Sequence, residues 1–320
     1  MPATQSLPHA ALSGPQVYSA LDLCRAMLAG NALPSRFDAA GLDRTLCHNA
    51  ERGLLEVQSG APWRSLATHV GADFLPGTVG DSVAANSAGP DGLPVVAHVR
   101  ALTLVTADGE LRRASREQAP ELFRLAVGGF RAFGPFYSVT LDLASLARSA
   151  ANAAAPLSLG LPPVEARGAP HRIQLLVPLP ASEAFIAQAR AALEERRCIL
   201  AGLEVRRVLA EQETMLRWAR QDYAELRIEF HMRGTIGACV NAAELRMRLI
   251  DLALDAGGTF APAHLPQASR AQAAACYPML GAFLAEKRRT DPAERVLGAW
   301  YRGVREMWRR QDCEVRWSRG

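Results

Sequence analysis

The sequence predicts an α+β protein in which an N-terminal unit and a second sheet-and-helix unit are separated by a linker. Three observations lead there. Strand-like alternation recurs on both sides of the chain's midpoint, as in "FYSVTLDL" and "AELRIEFHMR". Helical spacing of apolar residues lies between the strands. Residues 146–170, "LARSAANAAAPLSLGLPPVEARGAP", are rich in Ala, Pro, Gly and Ser without alternation and mark a boundary. At 320 residues the chain is long enough for two domains with large buried cores.

The elements follow in order. "YSALDLCRAML" spaces its apolar residues as an amphipathic helix and stops at Gly30. "GLLEVQSG" reads as a short strand, and "VRALTLVTADGELRRAS" as two strands joined by the Asp108-Gly109 turn. "APELFRLAVGG" is a helix closed by glycines, and "FYSVTLDL" a half-buried strand. Past the linker come a strand "RIQLLVPL", a helix "SEAFIAQARAALEERR", a strand "LEVRRVL", a helix "QETMLRWARQ", a strand "AELRIEFHMR" and a long helix "NAAELRMRLIDLALDAG". This interleaving predicts a sheet with helices on one face. In "ELRIEFHMR", period-two alternation puts Arg227, Glu229, His231 and Arg233 on one face and Leu226, Ile228, Phe230 and Met232 on the other.

Composition narrows the function classes. The net charge of +4 is too small a basic excess to indicate nucleic-acid binding. Six scattered cysteines contain no C-x-x-C and no Cys/His pair at zinc spacing, so neither a disulfide framework nor a metal site is expected. The N-terminus lacks a basic stretch followed by an apolar run, and no apolar stretch approaches about 18 residues. The expectation is a cytoplasmic protein without an integral membrane segment, its first dozen residues disordered.

The most informative stretch is "FLPGTVGDSVAANSAGPDG", residues 74–92, followed by "HVRALTLVTADGELRRASREQAPELFRLAVGGFRAFGPFYSVTLDL". Glycines at 77 and 80 permit positive φ and close backbone approach, so that amide N–H groups can face a phosphate or a flavin carbonyl. The ordered run of PGT-VG, VTADGE, ELF and VGG resembles the FAD-binding domain of the vanillyl-alcohol oxidase and p-cresol methylhydroxylase superfamily, nearest to sugar and alditol oxidases and decaprenylphosphoryl-ribose oxidase. The resemblance covers roughly residues 18–145 and 255–303. It implies a two-subdomain FAD-binding fold over 18–145, a linker at 146–170, a substrate or cap domain over 171–260, and a return segment at 261–305 that packs back on the FAD domain.

For the site, the resemblance implies a non-covalent FAD lined by Pro76, Gly77, Thr78, Val79, Gly80, Asp81, Ala85, Asn86, Ser87, Ala88, Gly129, Gly134 and Phe136. His264 and His231 are the candidates for a catalytic base or for charge stabilisation of reduced flavin, and Lys287 and Arg289 for substrate contact. The implied activity is FAD-dependent oxidation of a hydroxyl-bearing carbon of a polyol, sugar or related alcohol. The substrate is a small molecule, and the electron acceptor is not readable.

Several positions depart from the family pattern. Asp81 stands where a second glycine is usual, Arg131 where a small residue is usual, Pro135 has no N–H to donate, and Ala261 replaces an expected aromatic residue. Arg36 runs directly into "FDAAGLDRTL" where relatives carry a glycine-rich pyrophosphate loop. Four or five lost donors, at roughly 1.5–3 kcal/mol each, weaken dinucleotide binding by orders of magnitude unless Arg36, Arg44 or a partner chain replaces them. The departures support an alternative: a degenerate flavoprotein fold with weak or no FAD binding that acts through a ligand or partner. A third reading, a structural subunit of a larger oxidase complex, requires an apolar surface patch.

Overall fold

The computed structural model describes residues 17, 19–29, 41–71, 74–155, 157–158, 169–232 and 236–317. The junction at Arg36–Phe37, Arg233 and the first dozen residues lie outside the described residues. Two five-stranded antiparallel sheets and the helices around them make the predicted α+β fold.

The first sheet has the order β1-β2-β5-β3-β4, from β1 (Thr45–Asn49), β2 (Leu54–Gln58), β3 (Val99–Val105), β4 (Leu111–Ser115) and β5 (Phe136–Asp142). β3 and β4 form the hairpin expected at Asp108-Gly109; the Asp108 carboxylate accepts from the Glu110 N–H, and Gly109 supplies a φ of 82°. Helix α1 (Ala20–Leu28) starts at Ser19, whose hydroxyl accepts from the Asp22 N–H, and rests its Leu23 and Met27 beside Val105, Ala107 and Val296. After the turn of helix α2 (Ala67–Val70), α3 (Val79–Ala85) is capped by Thr78 and packs on β5. Helix α4 (Pro120–Ala126) begins on proline, which has no N–H to leave unsatisfied.

The predicted linker is partly ordered structure. Residues Leu143–Ala151 form helix α5, because the Asp142 carboxylate caps the Ser145 N–H and the alanine-rich run has high helix propensity. Leu157–Ser158 is already β6 of the second sheet, and β7 (Ala169–Pro178) begins before the expected end of the linker.

The second sheet runs β10-β7-β9-β8-β6, with β8 (Ile199–Val208), β9 (Tyr223–Met232) and β10 (Thr259–Phe260). Along β9, Leu226, Ile228, Phe230 and Met232 are buried while Arg227, Glu229 and His231 are half-exposed, as the alternation predicts. Helices α6 (Ser182–Glu195) and α7 (Ile236–Asp255) pack on each other and on the sheet.

The segment "QETMLRWARQ" is not the helix expected from its spacing; residues 209–222 form an irregular strap between β8 and β9. The Glu211 carboxylate accepts from the N–H groups of Glu213 and Thr214 and from the Thr214 hydroxyl, capturing amides that a helix would have used. The strap crosses to the first unit. Met215 N–H donates to the Arg124 carbonyl, Arg116 pairs with Glu213, and the Trp218 indole donates to the Asn86 carbonyl.

Helices α8 (Arg270–Cys276), α9 (Leu280–Thr290) and α10 (Ala299–Trp317) close the described chain. α8 packs on α7 of the second unit, while Phe283 meets Phe133 edge-on at 5.2 Å and Trp300 stacks on Phe130 at 4.5 Å in the first. One buried cluster runs continuously through both sheets. Among the described residues no helix is long and apolar enough to cross a membrane.

Because the strap joins the two sheets, Trp218→Ala is expected to cost about 3–5 kcal/mol of stability, as for other buried aromatic truncations. Met279→Ala, at an exposed position, should stay within about 0.5 kcal/mol. Urea midpoints of the two variants check this.

Candidate functional site

One cleft among the described residues holds about 790 Å³, a volume suited to a small organic ligand. Three segments line it: Asp43, then Gly60, Pro62 and Arg64, then Phe74 to Thr78. The Trp63 N–H donates to the Gly77 carbonyl at 3.1 Å and Pro62 bridges Thr78, which joins two of these walls. Trp63 is buried, with its indole on the Ser82 hydroxyl at 2.9 Å, so the helical turn Trp63–Leu66 leaves Arg64 at the rim. Gly77 has φ 82° and open space where a Cβ would stand.

Of the predicted FAD-lining residues, Pro76, Gly77 and Thr78 line this cleft and the others do not. Val79 is buried, and a Cβ on Gly80 would come within 2.6 Å of the Ser59 carbonyl. The Val79 and Gly80 N–H groups donate to the Ala61 and Ser59 carbonyls, and that of Asp81 to the Thr78 hydroxyl. Asn86 ends α3 at φ 47°, fully buried; its side chain accepts from Val96 N–H and donates to Glu211. Ala85 sits in the last turn of α3, the Ser87 N–H donates to the Ser82 carbonyl, and Ala88 bridges Pro94.

The second glycine segment is also closed on itself. The N–H groups of Gly128, Gly129, Phe130 and Gly134 donate to the carbonyls of Val83, Ala126, Ala84 and Arg131. A Cβ on Gly134 would lie 2.0 Å from the Val105 carbonyl oxygen, so this glycine serves close strand packing. Phe136 is buried beneath the Arg131 guanidinium, which also pairs with Asp81 at 2.8 Å. Two departures from the family pattern are thus each other's partner. Pro135 lends only its carbonyl, to the Val105 N–H.

Of the residues expected to line one continuous groove, this cleft therefore brings together Pro76, Gly77 and Thr78. The amides of Val79, Gly80, Asp81, Gly128, Gly129, Phe130, Ala132 and Gly134 are engaged within the protein and are not free to meet a pyrophosphate.

The remaining candidates do not line this cleft. His264 accepts the Gln174 N–H through Nε2 at 3.0 Å, so its proton sits on Nδ1, facing the Gln267 side-chain oxygen Oε1 at 3.4 Å. It continues the edge of β7 beyond β10, where the Ala261 N–H donates to the Gln174 carbonyl. Burial holds its pKa below the ordinary imidazole range. His231 lies four residues along β9 from Arg227, the partner of Gln174, about 13 Å away at roughly 3.3 Å per residue. No common site brings the two histidines together. Lys287 is fully buried and pairs with Asp291 at 2.5 Å, over the Tyr301 ring, while Arg289 is exposed and paired with Glu286.

Asp43, Arg64, Phe74 and Leu75 are not singled out by the sequence; Phe74 and Leu75 border the Pro76–Gly80 motif, and nothing in residue type marks Asp43 or Arg64. Comparison with protein-family models and with characterised proteins finds no match to this chain.

Lys287→Met should leave the Asp291 carboxylate buried without its cation and cost about 3–5 kcal/mol, whereas Arg289→Ala should change stability by no more than about 0.5 kcal/mol. Guanidinium unfolding distinguishes these roles from substrate contact, which would alter ligand affinity with little effect on stability.

Burial also lowers the pKa of His98 and His171. Neutral imidazoles are favoured in the fold, so the unfolded chain binds more protons below its imidazole pKa of about 6.5. Stability present above that pH should fall as pH drops through it toward the lowered folded values, and His264→Gln should make the decline shallower in thermal scans from pH 7.5 to 5.

Proposed function

We propose that this chain is a flavoprotein-oxidase-type fold that works by binding a ligand in the Asp43–Arg64–Thr78 cleft and does not retain FAD as a tightly held cofactor. The observation that carries this reading is the internal bonding of the Val79, Gly80 and Asp81 amides in the first glycine segment and of the Gly128, Gly129, Phe130 and Gly134 amides in the second, with Asp81 and Arg131 paired between them. Each of those N–H groups would have to break a protein hydrogen bond before meeting a phosphate, which removes the net gain that makes such loops bind. His264, engaged on both nitrogens, and Lys287, locked to Asp291, agree with a protein not arranged for proton abstraction.

A second reading is FAD-dependent oxidation of a polyol, sugar or related alcohol. The specific observation favouring it is the cleft itself, which has open backbone at Gly77 in the predicted PGT-VG motif. A flavin bound there would supply hydride acceptance, the chemistry of its own ring. The chain would supply only walls and charge, from Arg64 and the Pro76–Thr78 turn.

Absorption of the purified protein separates the two. The ligand-binding reading expects a colourless protein after gel filtration, without the flavin bands at roughly 350–460 nm, and FAD added in titration that is lost on dialysis. A yellow protein that keeps stoichiometric FAD through gel filtration would replace it with the oxidase reading.

A further inference from the structure

We infer that Arg64 is the anchoring residue of the cleft and that the ligand it selects carries a phosphoryl oxyanion. This rests on the reading that the cleft takes a ligand, and it names the chemistry of that ligand.

Arg64 is the one cation among the described residues lining the cleft, and it has no ion pair or hydrogen-bond partner among the described residues. That contrasts with Arg131, whose guanidinium is held by Asp81 beside Thr78 at the cleft's edge. A planar guanidinium with no internal acceptor can offer paired N–H donors to oxyanions without first breaking a bond. Its position is fixed from below: Trp63 is buried and bonded to Ser82, and the Ser65 hydroxyl closes the turn on the Pro62 carbonyl. The rim arginine therefore stands on a rigid base.

The rest of the cleft suits the body of such a ligand. Pro62, Leu75 and Pro76 provide apolar wall, and Gly77 leaves space where a side chain would otherwise project. Asp43 is the opposing element. It lines the same cleft, its carboxylate has no partner among the described residues, and its charge repels a polyanion. Arg64 and Asp43 should thus act on affinity with opposite signs, a pattern that a nonspecific sticky surface does not produce.

The test uses the full-length protein at low salt, titrated by calorimetry with inorganic pyrophosphate, ADP and FAD, in the wild type and in Arg64→Gln, Asp43→Asn and, as a remote control, Arg289→Gln. Thermal unfolding without ligand confirms that each variant is folded. The expected result is binding of both pyrophosphate and ADP, weakened about tenfold or more by Arg64→Gln, strengthened by Asp43→Asn and unchanged by Arg289→Gln. ADP and FAD distinguish a free nucleotide from a dinucleotide as the source of the phosphoryl group. The inference is overturned if no anion binds, if ADP binds and pyrophosphate does not, or if Arg64→Gln leaves the affinities unchanged. Retention of FAD by the purified wild type bears on the ligand-binding reading and not on these affinities, so the two can fail separately.

Discussion

Asn86 is the point on which the arrangement of the two sheets depends. It ends α3 in a left-handed conformation, which asparagine tolerates better than most residues, and it is fully buried. Each polar group of this residue is used: the backbone N–H on the Val83 carbonyl, the side-chain oxygen on the Val96 N–H, the side-chain nitrogen on Glu211, and the carbonyl on the Trp218 indole. The first two bonds belong to the first unit and the last two reach the strap of the second. A buried amide with any of these partners missing would be left with an unsatisfied group, so the strap, the end of α3 and the turn before β3 must assemble together.

That assembly bears directly on the glycine motifs. A Cβ on Gly128 would sit 3.2 Å from the Asn86 side chain, and Thr214 of the strap lies beside it. The loop 128–134 follows with Phe130 and Arg131 both at positive φ, an arrangement that costs energy in non-glycine residues and persists only when the surroundings determine it. Here the surroundings are the Trp300 stack under Phe130 and the Asp81 carboxylate on Arg131. The glycines supply compactness: they let the return segment, the strap and the first sheet approach closely. The cleft lined by the Pro76–Thr78 turn stays open.

Much of the fold was legible in the sequence, and the reason is locality. The alternation of β9, the Asp108-Gly109 hairpin and the α1 helix are each decided within a few residues by pleat geometry, turn chemistry and capping. The strap was not legible, because its apolar residues Met215, Leu216 and Trp218 have helix-compatible spacing and the choice against helix is made by Glu211 and by partners more than 80 residues away. Residues 146–151, expected in the linker, belong to α5 for the opposite reason: composition alone does not register the Asp142 cap.

The site was less legible than the fold for a related reason. Residue type reports which chemistry a side chain can perform, and the neighbours decide whether it is free to perform it. His264, Lys287 and the amides of Gly80, Gly128, Gly129 and Gly134 all have the right type for a flavin enzyme, yet each has a partner within the protein that engages the group in question. Arg64 shows the converse. Nothing in "GAPWRSL" marks it out, and its significance comes from what it lacks: it lines the cleft and, among the described residues, has no carboxylate paired with it. Arg116, Arg131 and Arg206, at other contacts between distant segments, each hold a glutamate or aspartate. A guanidinium whose charge is already matched adds rigidity, while one left unmatched in a concave surface keeps its electrostatic attraction for whatever anion enters, and that difference is invisible until the chain is folded.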